Sequence, residues 1–157
     1  MRVHILALGR LNKAAPEAAL VADYLKRFDR TGRGLGLGPA VLREIDDRKA
    51  STPSAEADLV AKAMPSGALC VALDERGAVE TSPQFAHRLA DWRDLGTSDL
   101  AFCIGGADGF APGFRNEAAH LLSFGPMVWP HMLARVMLAE QLYRAAAILA
   151  GTPYHRA

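Results

Sequence analysis

At 157 residues, half of them hydrophobic and 22% charged, the chain has the length and composition of one globular domain with a full core. Its formal charge of +1 excludes a strong global field, so a nucleic-acid partner has to be met by a local patch or by two pooled patches. Two cysteines without a CxxC spacing or a Cys/His cluster argue against a zinc site and a disulfide framework.

The elements read as follows in chain order. Val3 to Leu8 is a buried strand. Its apolar run is too short for a signal-peptide layout, and no run approaches the ~20 apolar residues of a membrane span, so a cytoplasmic protein is expected. Pro16 opens a mixed amphipathic helix to about Arg30. The glycine-rich segment from Gly32 to Gly38 breaks it and reads as a mobile surface loop. Pro39 to Ile45 is a weaker second strand. Thr52-Pro53, a cap residue before a proline, starts a helix to about Met64. Ala68 to Leu73 is the third strand. Ser82-Pro83 repeats the cap signal for a helix to about Leu95. Leu100 to Ile104 is the fourth strand, and Leu121 to Phe124 a short fifth. Met132 to Ala150 is a long last helix, stopped by Gly151 and Pro153. Cys70 and Cys103 lie inside strands three and four and read as small buried hydrophobes. Alternating strands and helices without a composition break predict one α/β domain over residues 1–157, a mostly parallel sheet covered on both faces.

In such sheets, ligands bind beyond the carboxyl ends of the strands. Strand three ends in Leu73-Asp74-Glu75-Arg76-Gly77, strand four in Ile104-Gly105-Gly106-Ala107-Asp108-Gly109, and strand five in Phe124-Gly125-Pro126. Glycines there let the backbone approach a ligand closely. The first strand is followed by only one glycine before Arg10, so it carries no dinucleotide fingerprint. The chain has neither a P-loop nor a GxSxG elbow. A pocket built from the second half of the chain is expected. Asp74 and Glu75 could meet a ribose or a cationic ligand, or could form a turn. Asp108 suits a turn.

The last helix is apolar on more than one side, through Met132, Leu133, Val136, Met137, Leu142 and Ile148. A surface helix needs only one stripe, so this one is either central in the core or also buried against a partner subunit, and a dimer with the helix in its interface is the favoured expectation. Glu140 and Arg144 are spaced for an i,i+4 pair. His4 reads as half-buried packing, His87 as polar surface and His120 as loop. His131, after Trp129-Pro130, reads first as a helix cap and second as a chemical group. The terminal Tyr154-His155-Arg156 joins a ring that stacks, an imidazole that moves protons and a guanidinium that holds anions.

These residues, in order and spacing, resemble one family. They are Leu73-Asp74-Glu75-Arg76-Gly77, Phe85-Ala86, Phe102 to Gly109, Pro130-His131, Leu133 to Ala145 and Pro153-Tyr154-His155-Arg156. Over nearly its whole length the chain resembles the RlmH family, ribosomal large subunit pseudouridine N3-methyltransferases of the SPOUT superfamily. The resemblance implies an α/β knot, a C-terminal trefoil in which the chain threads a loop, a rare exception among folds. It implies S-adenosylmethionine held by backbone groups of Leu73, Gly105, Gly106, Phe124, Gly125, Pro126, Met127, Val128, Trp129 and Pro130. Many members carry Thr where this chain has Val128, so a hydroxyl contact is not expected there. It implies a homodimer in which each site uses its partner's tail, and a pseudouridine in helix 69 of 23S rRNA on the assembled ribosome as substrate. On this reading His155 assists deprotonation of the base or orients a water, and His131 is the alternative base. Arg156 stabilises imide oxygen charge or grips a phosphate, and Tyr154 stacks on the base. Arg10, Lys13, Arg115 and Arg135 would meet RNA phosphates. The readings set beside this one are a SPOUT enzyme acting on tRNA and a non-catalytic ribosome- or RNA-binding dimer.

Overall fold

The computed structural model describes residues 1–48 and 50–156. The one-domain reading of 1–157 therefore includes two residues outside this set, Lys49 and Ala157. Five strands form one sheet: β1 (Arg2–Leu8), β2 (Ala40–Ile45), β3 (Leu69–Val79), β4 (Asp99–Ile104) and β5 (His120–Ser123). Their order is β2-β1-β4-β3-β5, and every paired neighbour is parallel. The helices are α1 (Pro16–Gly32), α2 (Pro53–Ala63), α3 (Ser82–Asp94), α4 (Pro112–Glu117) and α5 (His131–Leu149).

Successive strand residues point to opposite faces, and here both faces are apolar. Val3, Ile5 and Ala7 of β1, with Leu100, Phe102 and Ile104 of β4, pack against α1, α3 and α5. Leu6, Leu8, Ala101 and Cys103 point the other way, into a smaller cluster with Ala57 and Val60 of α2 and with Phe110. Phe110 stacks on Phe114 of α4, ring centroids 4.4 Å apart. The predicted parallel sheet with helices on both faces is therefore observed.

Five details differ from the sequence reading. The glycine-rich connection is not a free loop. Gly32 ends α1, a 3-10 turn covers Arg33–Leu35, and Leu37 is buried in the core at 2% exposure. The amino terminus donates to Gly36 O at 2.7 Å, and Arg93 Nη1 to Leu35 O at 2.8 Å, so both neighbours pin the segment. The cap of α3 is Thr81 rather than Ser82. Its hydroxyl accepts from Gln84 N, while the Gln84 side chain accepts from Thr81 N, a reciprocal capping box. His120 begins β5 rather than lying in a loop, and its Nε2 meets Glu80 Oε1 at 3.0 Å. Helix α4 had no capping or periodic signal strong enough to predict.

The fifth difference shapes the pocket. Strand β3 does not stop at Leu73 but runs to Val79. Leu73 and Ala78 both lie opposite Leu122, so the residues between them bulge out of the ladder. Gly77 makes this possible. A β-carbon there would lie 2.6 Å from the Leu121 carbonyl carbon and 2.8 Å from that of Leu122. Gly77→Ala should therefore lower stability by about 1–3 kcal/mol, the usual cost of overpacking, as read from the urea midpoint. An unchanged midpoint would mean that β5 yields freely.

Candidate active site

A cavity of about 260 Å³ opens beyond the carboxyl ends of β3, β4 and β5. Leu73, Asp74, Glu75 and Arg76 line it from the bulge, and Ile104 to Gly109 line it from the loop after β4. Phe124, Gly125, Met127, Val128 and Trp129 close it from the loop after β5, and His131 and Ala134 from the start of α5. This is where an open parallel sheet offers a ligand its strand ends.

Backbone approach is built in. Gly105 is buried, and a β-carbon there would press on Gly109 at 3.3 Å and on the Phe110 ring at 3.4 Å. A β-carbon on Gly106 would meet the Glu56 carboxylate at 3.1 Å. Gly125 has φ +104°, a conformation that side chains rarely adopt. Ser123 fixes that turn, since its Oγ accepts from Gly125 N at 3.1 Å and lies 3.2 Å from Glu75 O.

Asp74 is pinned at the wall. Its side chain is 2% exposed, accepts from Arg76 N at 3.0 Å and from Arg76 Nη1 at 3.3 Å, and pairs with Arg115 at 3.6 Å. Three other carboxyls lie nearby on α2 and the loops. Burial, then Asp47 and Asp108, push the Glu56 carboxyl above its usual range.

His131 stands at the inner edge. The cap role is absent, because Pro130 is the N-cap and no side chain caps the helix. A β-carbon on Gly9 would lie 3.6 Å from Asp47 Oδ2, 3.8 Å from Arg135 Nη2 and 3.9 Å from His131 Nε2, so these groups converge on one glycine. Burial, then the Arg135 guanidinium, lower the His131 pKa from its usual value, against a smaller opposing pull from Asp47.

Arg135 itself is a correction. Expected on the RNA-facing surface, it is 0% exposed. It donates to the carbonyl oxygens of Leu8 and Gly9, the latter at 3.0 Å, and pairs with Glu44 at 3.1 Å. Of the other expected phosphate contacts, Arg10 and Lys13 are exposed, while Arg115 is largely covered beside Asp74. An arginine inside an apolar helix stripe is the signal that could have marked Arg135 as structural.

Of the residues expected around the cofactor, Leu73, Gly105, Gly106, Phe124, Gly125, Met127, Val128 and Trp129 come together in the cavity. Pro126 and Pro130 belong to the same loop and are exposed outside its lining. The sequence reading missed Glu56 and Asp47, because nothing in the linear order places α2 beside Gly106 or the loop after β2 beside Gly9. Tyr154, His155 and Arg156 are not at this cavity. Tyr154 and His155 fold back on α5, where Tyr154 Oη donates to Glu140 Oε1 at 3.0 Å and its ring lies 4.4 Å from that of Tyr143, and Arg156 is exposed. Among the described residues no three His, Cys, Asp or Glu side chains gather as a metal-holding group, and no helix is long and apolar enough to cross a membrane.

A five-stranded parallel sheet with a glycine-edged pocket at its late strands matches known proteins. The family model described as "Predicted SPOUT methyltransferase" covers residues 1–155. The chain is 67% identical to "Ribosomal RNA large subunit methyltransferase H" of Dinoroseobacter shibae, over 99% of both chains. It is 64% identical to the protein of that name from Roseobacter denitrificans, again over 99% of each. A solved structure from Bordetella pertussis Tohama I, titled a probable methyltransferase, shares the fold. Its TM-score is 0.53 at 16% identity, covering 92% of this chain and 96% of that one. The chain belongs to the SPOUT methyltransferase family, and within it to the RlmH group.

Two outcomes follow from the site. Arg135→Ala should cost about 3–5 kcal/mol of unfolding free energy, because it strands two carbonyls and Glu44, and an unchanged denaturation midpoint would refute this role. His131 binds its proton more weakly folded than unfolded. Its contribution to stability is thus present at high pH and lost as pH falls through the unfolded value of about 6.5. The loss of stability between about pH 8 and about pH 5 should shrink in His131→Asn, as measured by thermal unfolding at each pH.

Proposed function

We propose that this chain is an S-adenosylmethionine-dependent methyltransferase that methylates N3 of a pseudouridine in helix 69 of 23S rRNA, on the assembled ribosome. It would act as a cytoplasmic homodimer, with residues 1–157 as one domain closed by a C-terminal trefoil knot. The observation that carries this reading is the glycine-edged pocket at the ends of β3, β4 and β5, in a chain whose relatives are named rRNA large subunit methyltransferases.

The residues fit the cofactor. Gly105 and Gly106 let the loop after β4 pack tightly on Gly109, Phe110 and Glu56, where a β-carbon would force it outward, so their backbone stays at the pocket wall within reach of a ligand. Leu73, Ile104, Leu122, Phe124 and Trp129 give an apolar wall for a purine, and Asp108 puts a carboxylate beside it for a cationic ligand, while Asp74 and Glu75 are paired with arginines. When bound, S-adenosylmethionine would supply an electrophilic methyl group on a sulfonium. N3 of the base is an imide nitrogen that carries a proton and is a poor nucleophile at neutral pH, so the chain has to accept or stabilise charge there. His131 faces the pocket, and burial lowers its pKa, which keeps the ring neutral with a nitrogen open to accept a proton, as a weaker base than a free imidazole.

The dimer reading rests on exposed apolar surface. Met127 and Val128 are 69% and 86% exposed, and Trp129, Met132 and Leu133 continue the patch onto α5. Such a run on one face suits a protein partner. Because the tail is bound to α5 away from its own pocket, His155 and Arg156 are assigned to the pocket of a second copy. Arg10 and Lys13, both exposed, remain assigned to RNA phosphates.

Labelled S-adenosylmethionine, ribosomes lacking the modification, free rRNA and tRNA test this together. Label should enter N3 of the helix 69 pseudouridine on ribosomes, and a chain truncated after Pro153 should lose at least about 10²-fold in rate. Label on tRNA alone, or cofactor binding without transfer to ribosomes, would overturn the assignment.

A further inference from the structure

The tail of this chain is held by a specific set of bonds. Glu140 Oε1 accepts from Tyr154 Oη at 3.0 Å, from Arg144 Nε at 3.0 Å and from Arg144 Nη2 at 2.6 Å. The Arg144 guanidinium carbon stands 4.9 Å from the Tyr154 ring centroid, so the arginine is fixed both by its carboxylate partner and by the aromatic face. Tyr154 is thus occupied as an anchor, and burial followed by the Glu140 carboxylate raises its pKa. One guanidinium nitrogen remains. Arg144 Nη1 lies 3.4 Å from His155 Nδ1.

The chemistry of that contact is one-directional. A guanidinium has N–H donors and no acceptor. For this contact to be a hydrogen bond, His155 Nδ1 is the bare, accepting nitrogen, which puts the ring proton of a neutral imidazole on Nε2. The nitrogen left free to meet a substrate carries a hydrogen.

We infer that Arg144 is a positioning residue that holds His155 as a hydrogen-bond donor, Nε2–H outward, toward a carbonyl oxygen flanking the methylated nitrogen. This rests on the reading above in which the tail completes a methyltransferase site. His155 then stabilises the negative charge that spreads over the imide when N3 loses its proton, and it is not the base. The N3 proton goes to another acceptor, for which His131 on the pocket wall is placed. Tyr154 does not stack on the base, since its ring and hydroxyl are committed to Tyr143, Arg144 and Glu140.

Substitutions at His155 separate a donor from a base. Gln places an amide N–H where Nε2 stood, Asn reaches only the Nδ1 position, and Ala offers nothing. His155→Ala and His155→Asn should lower kcat on ribosomes by about 10²-fold, the loss typical of one charge-stabilising donor, while His155→Gln keeps activity within about tenfold of wild type. In the full-length protein labelled with ¹⁵N-histidine, Nδ1 should resonate as the bare nitrogen and Nε2 as the protonated one. Arg144→Ala should weaken that preference and lower kcat, with cofactor affinity by calorimetry unchanged, and Arg144→Lys should restore part of both. A protonated Nδ1 in the wild type, or His155→Gln no better than His155→Ala in an otherwise active enzyme, overturns the donor role alone. A wild-type protein that transfers no methyl group to ribosomes overturns the underlying reading of the site as well.

Discussion

The guanidinium of Arg135 joins the last helix to the first strand, and the site is arranged around that joint. Burying a cation costs several kcal/mol unless its hydrogens find acceptors. Here the acceptors are the carbonyls of Leu8 and Gly9, where β1 ends, and Glu44 on β2. Its Nε has no partner, so the joint is not perfectly satisfied. It fixes the first turn of α5 across the carboxyl end of the sheet. The loop from Phe124 to Pro130 must then span from the end of β5 to that turn, which takes it over the pocket. His131 is held at the inner edge by the same constraint, one helical turn from Arg135.

Much of this frame was legible in the sequence, and for identifiable reasons. Apolar runs such as Val3 to Leu8 and Leu100 to Ile104 are buried on both sides, as expected of parallel strands. Thr52-Pro53 capped its helix as read, with Thr52 Oγ1 accepting from Ala55 N at 3.2 Å. The strand-end glycines pointed to the pocket because strand ends of a parallel sheet are where ligands fit. What was not legible depended on contacts distant in sequence. Nothing local says that β3 resumes after Asp74-Glu75-Arg76, since the bulge exists only because β5 lies against Gly77. Glu56 comes against Gly106 through the position of α2, Asp47 comes against Gly9 through the loop after β2, and Arg135 is inside because β1 and β2 supply acceptors. The side chain alone reads as a surface cation.

The terminal motif shows the difference between composition and arrangement. Tyr, His and Arg in sequence suggest stacking, proton transfer and anion binding. In the fold they divide the labour otherwise. Gly151, at φ +67°, and Thr152, whose N–H and Oγ both donate to Ala147 O, turn the chain back along α5. Tyr154 then spends its hydroxyl on Glu140 and its ring on Tyr143. An anchored tail loses less entropy on engaging a substrate than a free one, so on the reading proposed for the tail the order supplied by Glu140 and Arg144 in advance would favour catalysis.

The charges around the pocket bear on how such an enzyme finds RNA. Most of its arginines are already paired within the chain. Arg10 and Arg48 share Asp46, at 3.8 and 2.5 Å, and Arg76 and Arg115 share Asp74, at 3.3 and 3.6 Å. Each shared carboxylate offsets one of its two arginines, and with a net charge of +1 over the whole chain little long-range attraction is left. A protein of this kind gains little on an arbitrary RNA strand, where affinity is mainly charge neutralisation. It gains on a surface shaped to meet several of its groups at once, where the paired arginines can exchange a carboxylate for a phosphate at short range. On the reading proposed for this chain, that surface is the assembled ribosome, and the near-neutral charge is part of how the enzyme discriminates it from free RNA.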